Sequence, residues 1–152
     1  MSSIQPALPT DLSQLVAFCY KAFEENQLTG SNCPLDFDKT VTEINDNILH
    51  HVVLVKRNQD NSNFIDGMIM LKSGEVWWSK SLILNNLLFY VKPEKRSFKL
   101  AKDLLKAAQK YAIINRLPIV FDIFDQKDAS KKIKLLKYLG FKDYGSSFIF
   151  TN

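Results

Sequence analysis

Between residues 82 and 105 the apolar period of this chain changes from that of a strand to that of a helix, and any fold it adopts must accommodate that junction. Residues 82–91 are apolar except for Asn85 and Asn86, a run too short to span a bilayer and suited to a buried strand. Pro93 ends it. Beyond it, Leu100, Ala101, Leu104, Leu105, Ala108, Tyr111 and Ala112 recur at three and four, the stripe of an amphipathic helix. Strand feeds helix through a short basic turn of Glu94, Lys95, Arg96, Ser97 and Phe98. The unpaired amides and positive dipole end of the helix start can hold an anion, and Lys92, Lys95, Arg96, Lys99 and Lys102 surround the same turn. The pattern predicts a phosphate-binding junction. On charge alone, a solvated helix start whose lysines confer solubility is the stronger reading.

Tyr90-Val91-Lys92-Pro93 at the strand end, Arg96-Ser97-Phe98-Lys99-Leu100-Ala101 and then Leu104-Leu105 resemble the GNAT superfamily of N-acetyltransferases. In that family a central strand, an Arg/Gln-x-x-Gly-x-Gly/Ala turn and a helix hold acyl-coenzyme A. Arg96 and Ala101 match the pattern, whereas Lys99 replaces the first glycine, whose missing Cβ lets the backbone approach the pyrophosphate. An ammonium there can pair with phosphate or obstruct the groove. The resemblance implies acetyl-coenzyme A as the acyl donor, with Phe89, Val91, Arg96, Ser97, Phe98, Lys99, Leu100 and Ala101 as its binding residues.

The 152 residues, 46% hydrophobic and 24% charged, suit one globular domain over 1–152. The first residues lack the basic patch and apolar run of a signal peptide and no stretch is long enough to span a bilayer, so a cytoplasmic protein with no membrane partner is expected. Cys19 and Cys33 show neither metal nor redox spacing, and His50 and His51, adjacent on a strand, would face opposite ways, so no metal and no disulfide are expected. A net charge of +4 and a pI near 9.0 suit a polyanion such as coenzyme A. Nucleic acid is disfavoured as a partner because no recognised binding motif accompanies the charge. The oligomeric state, homodimer included, stays open.

Along the chain, residues 2–8 read as a strand, and Pro9, Thr10 and Asp11 as turn and N-cap for a helix buried through Leu12, Leu15, Val16, Cys19 and Phe23. After a loop over 28–34, Asp36 caps a helix carrying Phe37, Val41, Ile44 and Ile48. Residues 51–56 and 64–72 form a hairpin, Ser73-Gly74 turns, and a further strand holds Trp77 and Trp78. Residues 119–124 read as a strand, Asp128 caps a last helix with Ala129, Ile133, Leu136 and Leu139, and Gly140 ends it. A closing hairpin spans 141–144 and 147–151 across Gly145-Ser146. Tyr138-Leu139-Gly140-Phe141 resembles the Leu-Gly-Phe ending of the GNAT family. The expected fold is α/β: a GNAT-like mixed, mostly antiparallel twisted sheet of about seven strands with about four helices on both faces.

Acetyl transfer from a thioester to an amine requires a neutral amine, a donor for the developing oxyanion and a proton for the leaving thiolate. In the family the central strand commonly splays from its neighbour, here near residues 89–91, and its main chain meets the pantetheine arm. A frequent glutamate base would fall at Asn85, which cannot take a proton at neutral pH, and a frequent tyrosine acid would fall at Leu136. Tyr138 lies two positions on, roughly 200° round the helix. The candidate catalytic residues are therefore Tyr90, Tyr138 and Asn85, with Asp122 and Asp125 as substitutes, and each also has an ordinary structural reading. The segment covering the family's acceptor site carries Glu24, Glu25, Asp36 and Asp38, which could recognise a cationic amine or serve as surface and cap residues. Two functions follow: an acetyl-coenzyme A-dependent N-acetyltransferase acting on a small-molecule or protein amine, or a catalytically inactive GNAT-fold protein serving as a binding or structural component, such as in viral assembly.

Overall fold

The computed structural model describes residues 4–26, 34–123 and 129–145. Five strands, β1 (Ile4–Pro6), β2 (Val52–Arg57), β3 (Ile65–Val76), β4 (Ser79–Val91) and β5 (Ile119–Val120), lie side by side in chain order. Neighbours from β1 to β4 are antiparallel, and β5 is parallel to β4. The four expected helices are α1 (Leu12–Asn26), α2 (Phe37–His50), α3 (Phe98–Asn115) and α4 (Ala129–Tyr138).

The sheet separates two cores. Leu15, Val16, Phe18, Ala22 and Ile44 of α1 and α2 pack on Val53, Val55, Met68, Met70 and Tyr90. Leu104, Leu105, Ala108, Ala112, Leu135 and Leu136 of α3 and α4 pack on Ile69, Leu71, Leu84 and Val91 on the other face. Residues 65–71 of β3 are buried throughout because that strand lies inside the sheet with a helical layer on each side. Such a strand shows no polar alternation in sequence.

The described residues hold five strands where about seven were expected. Residues 141–145, expected to open a closing hairpin, are not in a strand, and 146–152 lie outside the described residues, as do Cys33, Asp125 and Asp128. Among the described residues, the strand expected over 119–124 is paired only at Ile119 and Val120, and residue 124 lies outside them. The turn expected at Ser73-Gly74 is also corrected. Both residues are in β3, paired with Leu84 and Ile83, and the chain reverses at Trp77 and Trp78 instead. Glycine is tolerated in that ladder because its backbone contributes hydrogen bonds even without a side chain. The indoles pack edge to face with centroids 5.3 Å apart, and Trp77 is 93% exposed.

Asp11, expected as a helix cap, closes a 3₁₀ turn over Pro9–Asp11 and does more than cap it. Its carboxylate accepts two hydrogen bonds from Arg57 at 2.6 and 2.7 Å and one from the Leu8 N–H at 2.7 Å. Both charges are buried, so the bidentate pair ties the start of α1 to the end of β2. Burial alone would raise the Asp11 carboxyl, but the Arg57 and Leu8 hydrogen bonds and the Arg57 charge outweigh it and hold it below its ordinary value of 3.8. Removing one partner strands a buried charge, so Arg57→Ala should cost about 3–5 kcal/mol in chemical denaturation. A depressed carboxyl stabilises the fold fully above its unfolded pKa. This contribution should fade as pH falls below 3.8, and the acid limb should flatten in Asp11→Ala.

Gly67 permits the close approach of α3. A Cβ built on it would lie 3.1 Å from Val91 Cγ2, 3.2 Å from Leu104 Cδ1 and 3.2 Å from the Tyr90 carbonyl oxygen. Because one of those neighbours is backbone in a paired strand, Gly67→Val should destabilise the fold by about 1–3 kcal/mol, read as a lower denaturation midpoint.

Candidate functional site

One extra residue in β4 organises the site. Met70 faces Leu88 and Leu71 faces Asn86, which leaves Leu87 as a bulge. Before it, Leu84 packs into the α3/α4 core; after it, Phe89 and Val91 join that core, while Leu88 and Tyr90 turn to α1 and α2. The bulge re-aims the main chain as well. The Lys92 N–H donates to the Asp66 carbonyl at 2.9 Å, so Val91 and its partner Gly67 form a non-hydrogen-bonded pair. By alternation, Phe89 and Val91 both direct N–H and C=O away from β3, toward the β5 side.

No strand among the described residues meets them there. β5 pairs with β4 only at Leu84 and Asn85, and the two then part, leaving β4 to run on to Val91 with one edge open. The wall on the α3/α4 side is aromatic: Phe89 lies edge to face on Phe121 at 5.8 Å, and Phe121 on Phe141 at 6.3 Å.

A 3₁₀ turn over Pro93–Lys95 then leads into α3. Ser97 is its N-cap, accepting from the Leu100 N–H at 3.1 Å, while the Ala101 N–H donates to the Ser97 carbonyl. The Arg96 N–H donates to the Pro93 carbonyl. Within the expected window of 96–101, the Phe98 and Lys99 amides remain as first-turn donors without intrahelical acceptors.

The five basic side chains are differently engaged. Lys92 lies 5.9 Å from the Phe18 and Phe64 ring centroids, and Lys102 lies 5.6 Å from that of Phe98. Lys95 and Lys99 are exposed. Arg96 donates from Nε to the Val91 carbonyl at 3.0 Å, pairs with Glu25 of α1, and lies over the Tyr90 ring at 5.7 Å. Glu25 also accepts from the Tyr90 hydroxyl at 3.3 Å. Sequence spacing gave no means of joining residues 25, 90 and 96, since only the docking of α1 on β4 brings them together.

Burial, followed by the negative charge of Glu25, raises the Tyr90 phenol above its ordinary value, with Arg96 opposing. Tyr90 is therefore protonated at neutral pH and acts as a donor. Tyr138 is exposed and packs edge to face on Phe98 at 5.7 Å, which brings it to the start of α3. Leu136 is buried in the α3/α4 core. Asn85 is half-buried and paired with Lys72 and Val120 immediately before the strands part. Cys19 is half-buried in α1, where burial raises its thiol.

His50 ends α2 and His51 follows it at the C-cap. His51 shares a 3.1 Å hydrogen bond with Ser73, and its other ring nitrogen lies 3.5 Å from Asp46. Asp36 caps α2 through the Lys39 N–H, whereas Glu24 and Asp38 are exposed. Asp122 is exposed just beyond β5. Among the described residues no group of His, Cys, Asp and Glu could hold a metal ion, and no helix is long and apolar enough to cross a membrane.

No protein-family model and no curated protein sequence matches the chain. Solved structures do match. A predicted acetyltransferase from Clostridium acetobutylicum, solved with acetyl-CoA, superposes with a TM-score of 0.74 at 14% identity, over 99% of this chain and 96% of that one. The chain has the GNAT acetyltransferase fold. The aminoglycoside N-acetyltransferase AAC(6')-Iy in complex with CoA gives a TM-score of 0.69 at 13% identity over 99% and 93% of the two chains. A Trypanosoma brucei acetyltransferase gives 0.67 at 15% over 99% of each. This GNAT fold therefore persists where little sequence is shared.

Because Ser97 supplies the cap that shapes the α3 start, Ser97→Ala should cost roughly 1 kcal/mol in denaturant melts and Ser97→Gly only a few tenths.

Proposed function

We propose that the protein is an acetyl-coenzyme A-dependent N-acetyltransferase acting on a small-molecule or protein amine. The observation that carries this reading is the open edge of β4, where Phe89 and Val91 present main-chain groups away from β3 and the strand leads directly into the capped start of α3. An extended arm carrying amides can pair along that edge, and a pyrophosphate can meet the Phe98 and Lys99 amides at the helix start. The residues present fit the donor. Acetyl-coenzyme A supplies an activated thioester whose acetyl group passes to an amine nitrogen.

The chain itself contributes alignment and hydrogen-bond donors. Phe89 and Val91 direct N–H groups into the gap, where a developing oxyanion can be stabilised without side-chain chemistry. Phe89, Phe121 and Phe141 shield one side of it from water. Tyr90, protonated and lying between Phe89 and Val91 in β4, is a side-chain proton donor that the sequence named. Asn85 provides no base, so removal of the amine proton falls to water. The likeness to an aminoglycoside N-acetyltransferase supports an amine as acceptor.

The burial of Leu136 favours the second reading, an inactive GNAT-fold binding or structural component, because it leaves no hydroxyl at the family's acid position. A thermal-shift titration separates the two. Acetyl-coenzyme A at 100 times its dissociation constant should stabilise the protein by about 2.7 kcal/mol, or roughly 5–10 °C for a domain of this size. No shift at millimolar ligand would discard the enzyme.

Lys99 gives a test of opposite signs. If its ammonium has taken over phosphate recognition, as its exposed place on the first turn supports, Lys99→Gly should weaken calorimetric binding about tenfold. That is the low end for one charge-assisted hydrogen bond, ~1.5 kcal/mol, because the group is exposed. Tighter binding in the glycine variant would show instead that Lys99 obstructs the groove.

A further inference from the structure

The Glu25 carboxylate sits on the α1 side of the β4 end, bonded to the hydroxyl of Tyr90, the residue between the two that face the gap. Its other partner is the Arg96 guanidinium. Arg96 is at the same time the first residue of the turn that would receive a pyrophosphate, and its Nε is anchored on the Val91 carbonyl. One arginine thus stands between two anions: the internal carboxylate of Glu25 and an external phosphate at the start of α3.

Two features make an exchange physically open. The side chains of Arg96 and Glu25 are 41% and 38% exposed, so the pair is a solvent-screened one of small net worth. A pyrophosphate beside the α3 dipole end, with Lys95 and Lys99 exposed on the same turn, offers Arg96 a doubly charged, bidentate alternative. When Arg96 takes it, Glu25 is left with the neutral Tyr90 hydroxyl and a negative charge unbalanced at the edge of the gap.

We propose that Arg96 is a latch between the two halves of the site. With no acyl donor bound it masks Glu25, and donor binding releases Glu25 to receive a cationic group of the acceptor. This rests on the reading that acetyl-coenzyme A binds at the α3 turn. It assigns a substrate class. The attacking nitrogen must be neutral, so the charge that Glu25 holds belongs to a second cationic group, and the acceptor is a diamine or an amine with another basic centre.

The test is binding, measured by calorimetry, and needs no turnover. The probes are coenzyme A, which has no acetyl group to transfer, and 1,4-diaminobutane with 1-butanol as the uncharged control. In Glu25→Gln, Arg96 has no internal rival, so coenzyme A should bind about two- to fivefold more tightly than to the natural chain, the range set by an exposed ion pair. In Arg96→Ala it should bind more weakly. For the natural chain, 1,4-diaminobutane should bind more tightly when coenzyme A is present, and coenzyme A should gain the same factor from the diamine. 1-Butanol should show no such coupling, and Glu25→Gln should abolish it for the diamine.

Unchanged or weaker coenzyme A affinity in Glu25→Gln, with a natural chain that binds, overturns the latch and leaves the acetyltransferase reading intact. Equal diamine affinity with and without coenzyme A overturns it too. A natural chain that gives no heat with coenzyme A at millimolar concentration removes both proposals together. Melting temperatures of the two variants within a few degrees of the natural chain establish that each is folded.

Discussion

The bulge at Leu87 determines the site's geometry. Side chains alternate along a strand, so one inserted residue exchanges the faces of all that follow. Without it, Tyr90 would enter the α3/α4 core and Phe89 and Val91 would face α1 and α2. With it, Val91 packs beside Leu104 over Gly67, Phe89 meets Phe121, and Tyr90 reaches Glu25. The same shift turns the N–H and C=O groups of Phe89 and Val91 to the edge that β5 leaves open. A single irregularity therefore gives a packed interior and an unpaired edge on one strand.

Such an edge inside a sheet is ordinarily costly, because buried N–H and C=O groups without partners lose solvation. Here the strands diverge, the paired length of β4 and β5 is two residues, and Arg96 satisfies the Val91 carbonyl from the solvent side. The rigidity that keeps the edge open comes from elsewhere. β3 is paired along both sides and buried between two cores, and the Asp11–Arg57 pair clamps the α1 layer to the sheet.

Charge at the α3 turn is arranged with similar economy. Five basic residues lie within eleven positions, yet Lys92 and Lys102 rest over aromatic rings and Arg96 is paired with a carboxylate. Lys95 and Lys99 extend into solvent, and the helix start contributes its own positive end. The site can therefore attract an anion without presenting five uncompensated cations to the folded state. Asn85 lies before the strands part and Leu136 is buried in the α3/α4 core, so neither places an ionisable side chain in the gap.

The sequence by itself determined the elements. Four amphipathic helices, the 51–56 and 64–72 hairpin and the strand-to-helix junction after Val91 were legible because apolar spacing, Pro93 and the capping residue Asp36 act within a few positions. The basic turn was legible for the same reason. Tertiary structure alone decided the bulge, the parting of β4 from β5 and the Glu25–Arg96–Tyr90 contact. The run over 82–91 is apolar on both faces, so its pattern carries no parity from which an extra residue could be read, and Ser73-Gly74 imitates a turn inside a strand that pairing holds straight. Residues 25 and 96 are joined by the docking of α1 on β4, and a buried pair such as Asp11 and Arg57 is two unremarkable charges until β2 and the 3₁₀ turn are brought together. Local periodicity fixes which segments are strands and helices; partners distant in sequence are fixed only when those segments bury one another.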